Sequence, residues 1–266
     1  HFVAKIKAGR VLFDMDGTIY MGPHPIPGAA AFIAWLQENE VPFLFLTNNP
    51  TADKKRYRSK LAGMDIHVPE EQILTSGEAT AVYLMTETPY RRIFALGTPS
   101  FENELVQAGL LLEERDPDAV VLSFDKTLTY AKLERAALLL QKGIPYIATN
   151  PDRVCPTEYG PIPDCGAMAA LLESATGRSP KFIGKPEVSF ARMAQKKLGT
   201  PMHATAMVGD RLYTDLEMAR LAGMVGILVL SGETTHEDLR EAAHAPDFTF
   251  ESVRELHAAY QESRRL

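Results

Sequence analysis

Two carboxylates, Asp14 and Asp16, follow the apolar run Val11-Leu12-Phe13, and Gly17 and Thr18 come next. The run reads as a buried strand of a parallel sheet. The glycine and threonine end it, so both acids stand at its carboxyl end, where open α/β sheets bind ligands. Acids in that position repel each other and lose hydration, and a cation, or a charged ligand carrying one, relieves both costs. A solvated Asp-Gly turn after a core strand is the plainer reading of this stretch alone. Two further apolar runs end in the same fashion: Phe43-Leu44-Phe45-Leu46 runs into Thr47-Asn48-Asn49, and Ala204 to Val208 stops at Gly209-Asp210. Lys185 follows Gly184 at another strand end. In a parallel sheet such ends lie side by side, so these residues can converge although they are far apart in sequence. Together they offer carboxylates for a hard cation, a hydroxyl and an amide for an oxyanion, and one ammonium. Carboxylate oxygens with room for water suit magnesium. The set as a whole is equipment for phosphoryl transfer, in which positioning and charge neutralisation dominate.

The elements that must carry these groups alternate strand and helix. Gly17 to Gly28, with Pro23, Pro25 and Pro27, cannot be a regular helix and reads as a turn-rich flap over the strand end. A helix is expected over 29–38, with Phe32, Trp35 and Leu36 on one face, and a basic helix over 54–61 capped by Thr51. Gln72 to Thr75 reads as a third strand, with a helix leaving it from Glu78. Between about Glu78 and Pro180 at least three further strand–helix alternations carry their own apolar residues, as a separate α/β unit would. The first unit then resumes at Phe182-Ile183, with a helix over 187–198, a strand to Val208, a helix over 212–222 and a strand over 225–230.

The bulk numbers narrow the class. The 266 residues suffice for one large or two smaller α/β domains. A formal net charge of −6 gives no basic face for nucleic acid, and no apolar run approaches a transmembrane helix. The opening His1-Phe2-Val3-Ala4-Lys5 lacks the apolar core of a signal peptide. Cys155 and Cys165 are the only cysteines, too few for a disulfide framework, which points to a reducing cytoplasm. The histidines show no ligand spacing, and no dinucleotide or P-loop glycine motif occurs.

Taken together, Asp14-Met15-Asp16-Gly17-Thr18, Thr47-Asn48-Asn49, Gly184-Lys185-Pro186 and Gly209-Asp210 through Asp215 resemble, in order, the four motifs of the haloacid dehalogenase superfamily. Leu46-Thr47-Asn48-Asn49-Pro50, Ala148-Thr149-Asn150-Pro151-Asp152 and Cys165-Gly166-Ala167 narrow the resemblance to its NagD-like, nitrophenylphosphatase-like subgroup. The resemblance implies a Rossmann-like parallel-sheet core, 1–78 and 181–266, with an inserted C2-type α/β cap, 79–180. It implies magnesium-dependent hydrolysis of a small phosphomonoester. Asp14 would be the nucleophile that forms an aspartyl-phosphate, and Asp16 the general acid and then base. Thr47, Asn48 and Lys185 would hold the phosphate. Asp14, Asp210 and the Asp16 backbone carbonyl would hold Mg²⁺, with Asp215 behind them. Asp215 also fits a simple first-turn helix acid, and Thr47 a cap on the next helix. The cap would close over the site, with the loop from Asn150 to Met168, and Asp152, Arg153 and Asp164 within it, contacting substrate. Caps of this subgroup often pair, which puts a homodimer among the expectations. A phosphotransferase or phosphomutase on the same core, or a phospholigand-binding regulator without turnover, are the alternatives.

Overall fold

A computed structural model describes Phe2, Ile6 and residues 9–265; the opening segment His1 to Lys5, apart from Phe2, lies outside the described residues. In chain order the strands are β1 (Arg10–Phe13), β2 (Tyr20–Met21), β3 (His24–Pro25), β4 (Phe43–Thr47), β5 (Ile73–Thr75), β6 (Arg92–Leu96), β7 (Leu111–Leu112), β8 (Ala119–Leu122), β9 (Tyr146–Ala148), β10 (Val154–Cys155), β11 (Ile162–Pro163), β12 (Lys181–Phe182), β13 (Thr205–Gly209), β14 (Val225–Val229) and β15 (Phe248–Phe250). They fall into two compact units. One comprises 1–47, 57–74 and 185–266, the other 48–56 and 75–184.

The first unit is built on a six-stranded sheet of order β15-β14-β13-β1-β4-β5. β1 pairs in parallel with β13 on one side and β4 on the other, with Phe13 opposite both Val208 and Phe45. This register aligns the carboxyl ends of the three strands. The chain moves from β1 to β4 in one direction and reaches β13 on the other flank, so β1 sits at a topological switch point, where such sheets open a crevice. Val11, Leu12 and Phe13 are fully buried, as both faces of a covered parallel strand require. Past β1 the backbone turns at once: the Met15 carbonyl accepts from the amides of Thr18 and Ile19, and Gly17 takes a left-handed φ of +85°. The short antiparallel pair β2–β3 is the flap that the prolines implied. Two local readings need correction. The helix Lys54–Ala62 is entered through Asp53, whose Oδ1 accepts from the Arg56 amide, while Thr51 bonds Asn49 Oδ1. The helix expected over 212–222 opens as a wider π-turn, Leu212–Leu216, before the α-helix Glu217–Ala222.

The second unit has its own five-stranded parallel sheet, β12-β9-β8-β6-β7. Its core packs Leu96, Val120, Leu122, Leu140 and Leu172. Each of its helices starts on a side chain that accepts from the first-turn backbone: Thr75 for Ser76–Glu87, Thr98 for Pro99–Gln107, Thr129 for Tyr130–Gln141 and Asp164 for Cys165–Thr176. Phe182, read from sequence as the point where the first unit resumes, instead pairs with Ala148 of β9, and the crossing falls at Gly184–Lys185. The reason is register: Lys181 and Phe182 extend the edge of this sheet beside Ile147 and Ala148.

Candidate active site

Four charged side chains meet at the carboxyl end of β1, all within the first unit. Asp14 is the residue after β1, and its amide donates to the Val208 carbonyl of β13 (2.9 Å), which fixes it beside Gly209 and Asp210. Asp14, Asp210 and Asp215 each offer a carboxylate oxygen within 4.8 Å of the other two, and all three are buried. Lys185, only 2% exposed, places Nζ 2.8 Å from Asp14 Oδ1 and 2.7 Å from Asp215 Oδ1, and also donates to the Leu46 carbonyl (3.3 Å). One ammonium therefore faces two of three acids, and a net negative charge is left in a site nearly sealed from water.

Asp210 carries most of that imbalance. Its Oδ2 accepts from the Glu233 amide (2.8 Å), while its Oδ1 is buried with no hydrogen-bond partner. Two glycines shape the space around this carboxylate: a Cβ at Gly17 or at Gly232 would collide with it. The donor set is entirely carboxylate oxygen, and the orphaned Oδ1 points to a bond that the protein alone does not make. These residues fit a hard divalent cation.

The electrostatics follow from the geometry. Burial, then the charges of Asp14 and Asp215, push the Asp210 carboxyl well above the usual carboxylate range. Burial and Asp14 raise Asp215 to about 6, against the pull of Lys185. Burial alone would lower the Lys185 ammonium, but Asp14 and Asp215 outweigh it and hold the group protonated. Asp16 is raised by burial and by Asp14, and lowered in part by Lys60 and Arg211.

Asp16 lies on the flap turn, in a bridge with Tyr20. Thr47, the last residue of β4, is buried beside Leu46, whose carbonyl Lys185 contacts. Asn48 belongs to the second unit, and its side-chain amide donates to Asp152 Oδ2 (2.8 Å). Asp152 and Asp164, read from sequence as substrate contacts, are both buried and both accept from Asn150, whereas Arg153 is exposed. Two contributions escaped the sequence reading. The loop Ser231–Thr234 after β14 holds Asp210 through the Glu233 amide and holds the Gly17 carbonyl through Ser231 Oγ (2.8 Å). Its signal was available: Leu230-Ser231-Gly232 is again an apolar run ending in small polar residues. Lys60, read as part of a solvated face, stacks Nζ 3.8 Å from the Tyr20 ring centroid.

The chain's similarities agree with this geometry. The family profile of haloacid dehalogenase-like hydrolases matches residues 11–111, and a HAD-hydrolase-like profile matches residues 182–256. An acid sugar phosphatase of Staphylococcus haemolyticus is 37% identical over 91% of this chain and 92% of its own length. The 4-nitrophenylphosphatase of Thermotoga maritima superposes with a TM-score of 0.93 at 44% identity, over 97% of this chain and 98% of that one. NagD from Escherichia coli K-12 gives 0.87 at 30% identity, over 93% and 97%. Among the described residues no helix is long and apolar enough to cross a membrane.

Proposed function

This chain belongs to the haloacid dehalogenase-like hydrolases, in the NagD-like subgroup, and from that premise we propose a magnesium-dependent phosphatase that works through an aspartyl-phosphate on Asp14. As a phosphoric monoester hydrolase it acts on small phosphoesters. The observation that carries the finer reading is the buried Asp14–Lys185–Asp215 contact beside the orphaned Asp210 Oδ1. Asp14, Asp210 and the Asp16 carbonyl would hold Mg²⁺. When bound, the ion withdraws charge from the phosphoryl oxygens and offsets the acids that face it.

The remaining chemistry belongs to the chain. Lys185 fixes Asp14 Oδ1 at 2.8 Å, so that the other carboxylate oxygen can attack phosphorus in line with the leaving oxygen. Asp16, whose carboxyl is raised by burial and by Asp14, gives its proton to the leaving alcohol and later takes one from the water that cleaves the acyl-phosphate. Thr47 and Lys185 bind the oxygens of the transferring group. The first unit would be the catalytic core and the second the cap that sets specificity, with Asp215 holding Lys185 from behind.

The test is orthophosphate release over a panel of phosphomonoesters, with and without magnesium. Absence of release from every ester would remove the hydrolase reading, and release in chelator equal to that with magnesium would remove the metal. Within the panel, Asp16→Asn should lower kcat/KM, which ends at departure of the leaving group, by roughly 10²–10⁴-fold for alkyl phosphates, the range of general acid catalysis, and far less for nitrophenyl phosphate, because nitrophenolate leaves without a proton. Equal losses in kcat/KM across leaving groups would exclude Asp16 as the acid.

The acids also predict a pH dependence. Asp210 and Asp215 are raised above their unfolded values, so in metal-free protein they favour the folded state below about pH 4, and that contribution is lost as pH rises through their folded values, about 6 for Asp215. Magnesium binds the deprotonated acids and displaces protons. The gain in melting temperature at fixed magnesium should therefore grow between pH 5 and pH 7, as read by differential scanning fluorimetry. A gain independent of pH would mean that these carboxylates do not hold the ion.

A further inference from the structure

The second unit contains a cluster of buried polar side chains that the chemistry above does not use. Asn48, Asn150, Asp152 and Asp164 are each 8% exposed or less. Asp152 Oδ2 accepts from both Asn48 Nδ2 and Asn150 Nδ2 (2.8 Å each), and Asp164 Oδ1 accepts from Asn150 Nδ2 (3.0 Å) and the Cys165 amide (2.6 Å). Thr149 Oγ1 donates to Asn150 Oδ1 (2.7 Å), and the Asp152 carbonyl accepts from the Gly166 amide (2.7 Å). The cluster ties the chain at two of the four places where it passes from one unit to the other, 47/48 and 184/185. Asn48 follows Thr47 directly, and its own carbonyl accepts from Ser76 Oγ (2.8 Å). Gly184 precedes Lys185 directly, and its amide donates to the Thr149 carbonyl (2.8 Å). The two crossings are packed together: a Cβ on Gly184 would lie 2.6 Å from Asn48 Oδ1 and 2.7 Å from the Thr149 carbonyl oxygen, so only glycine lets them approach this closely.

We propose that the Asn48–Asp152 hydrogen bond is a clamp that positions Thr47 and Lys185, and that Asn48 serves the reaction as a positioning residue through this bond. The proposal rests on the phosphatase reading for its kinetic consequence and replaces the phosphate contact that sequence suggested for the Asn48 side chain. Its physical basis is commitment. A buried carboxylate that accepts two amide donors is costly to leave half-satisfied, so the Asn48 side chain is held where it is. Holding Asn48 and Gly184 side by side fixes the covalent neighbours of the two residues that bind the phosphoryl group, and displacement by an ångström at such a site costs on the order of 10²-fold in rate.

The decisive experiment is a reciprocal swap. Asn48→Asp sets two buried carboxylates against each other, whereas Asp152→Asn keeps one oxygen that can accept from Asn48 and Asn150 and loses only the charge that strengthens those bonds. N48D should lose roughly tenfold to a hundredfold in kcat toward nitrophenyl phosphate, with a smaller change in KM, and D152N should lose less. The double variant N48D/D152N restores one donor and one acceptor in reversed order and should recover most of the loss. A phosphate contact by Asn48 gives a different pattern: N48D impaired chiefly in KM, and no recovery in the double variant. That pattern overturns the proposal. Hydrogen exchange of the backbone amides of Thr47 to Asn49 and of Gly184 and Lys185 reads the clamp without turnover. It should quicken in N48D and return in the double. Unchanged exchange in N48D also overturns the clamp, whereas wild-type protein without turnover but with this exchange pattern overturns only the phosphatase reading.

Discussion

Asp14→Asn should abolish phosphate release, by on the order of 10⁴-fold or more, while leaving the fold intact or more stable. The expectation combines two effects of one atom. Loss of a nucleophile removes the covalent path outright, and single losses of this kind are among the largest known in enzymes. The same change takes one negative charge from three buried acids whose oxygens lie within 4.8 Å of one another. Asparagine keeps an Oδ1 that can accept from Lys185 Nζ, now 2.8 Å away, so the hydrogen bond survives the loss of charge. Orthophosphate release with magnesium and thermal unfolding of the metal-free protein read the two effects separately. Release within tenfold of the parent would show that Asp14 is not the nucleophile. A large fall in melting temperature would show that its charge, rather than its chemistry, is what the site requires. The same variant separates the alternatives: a phosphotransferase would lose transfer to an acceptor alcohol but release little orthophosphate beforehand, and a regulator would show no turnover to lose.

Lys185→Met should be the most destabilising single change in the site. The ammonium is 2% exposed and touches Asp14 and Asp215 at 2.8 and 2.7 Å. Methionine fills similar volume and leaves both acids buried without their cation. Removing one partner of a buried ion pair costs about 3–5 kcal/mol, because the remaining charge stays out of water. The acids answer by taking up protons, so the variant's stability should rise as pH falls from 7 to 5 more steeply than the parent's. Magnesium should recover part of the loss, since a second cation then faces the same carboxylates. Urea unfolding at pH 5 and pH 7, with and without magnesium, measures all three effects. Activity should fall together with stability, and magnesium should not restore it, because the ammonium also holds the nucleophile in place. A variant as stable as the parent in the metal-free state would mean that the three acids carry fewer charges than their geometry implies.

The two variants bear on opposite sides of one balance. On the proposed reading, the site concentrates negative charge because phosphoryl transfer needs a carboxylate nucleophile and a cation at the same spot. Lys185 faces two of the three acids, and Gly17 and Gly232 leave the Asp210 carboxylate room beside the backbone. Stability and chemistry would then be coupled through one group of side chains, and a change made to either would be read in both.

The gathering of Asp14, Asp210 and Lys185 at one rim of the sheet was legible in the sequence because strand endings are local. Apolar runs that stop at Asp14, Thr47 and Asp210 announce parallel strands with polar carboxyl ends, and strand pairing needs no more than that to align them; the register of Phe13 with Val208 and Phe45 is its realisation. Gly17 and the prolines up to Pro27 likewise exclude a helix by backbone geometry alone. What the sequence could not supply was partnership between distant polar groups. Asp152 and Asp164 look like exposed loop acids until the fold buries them against Asn48 and Asn150. Phe182 has the composition of either sheet, and only its pairing with Ala148 assigns it to the second. The loop Ser231–Thr234 reaches Asp210 and Gly17 because β14 ends beside β13, a neighbour relation decided by the tertiary structure. Residue type and strand ending state which groups are available, since both are properties of short segments. Which of them face water, which face a cation and which are spent on one another depends on burial and contact between segments from about fourteen to more than two hundred residues apart, and those exist only in the folded chain.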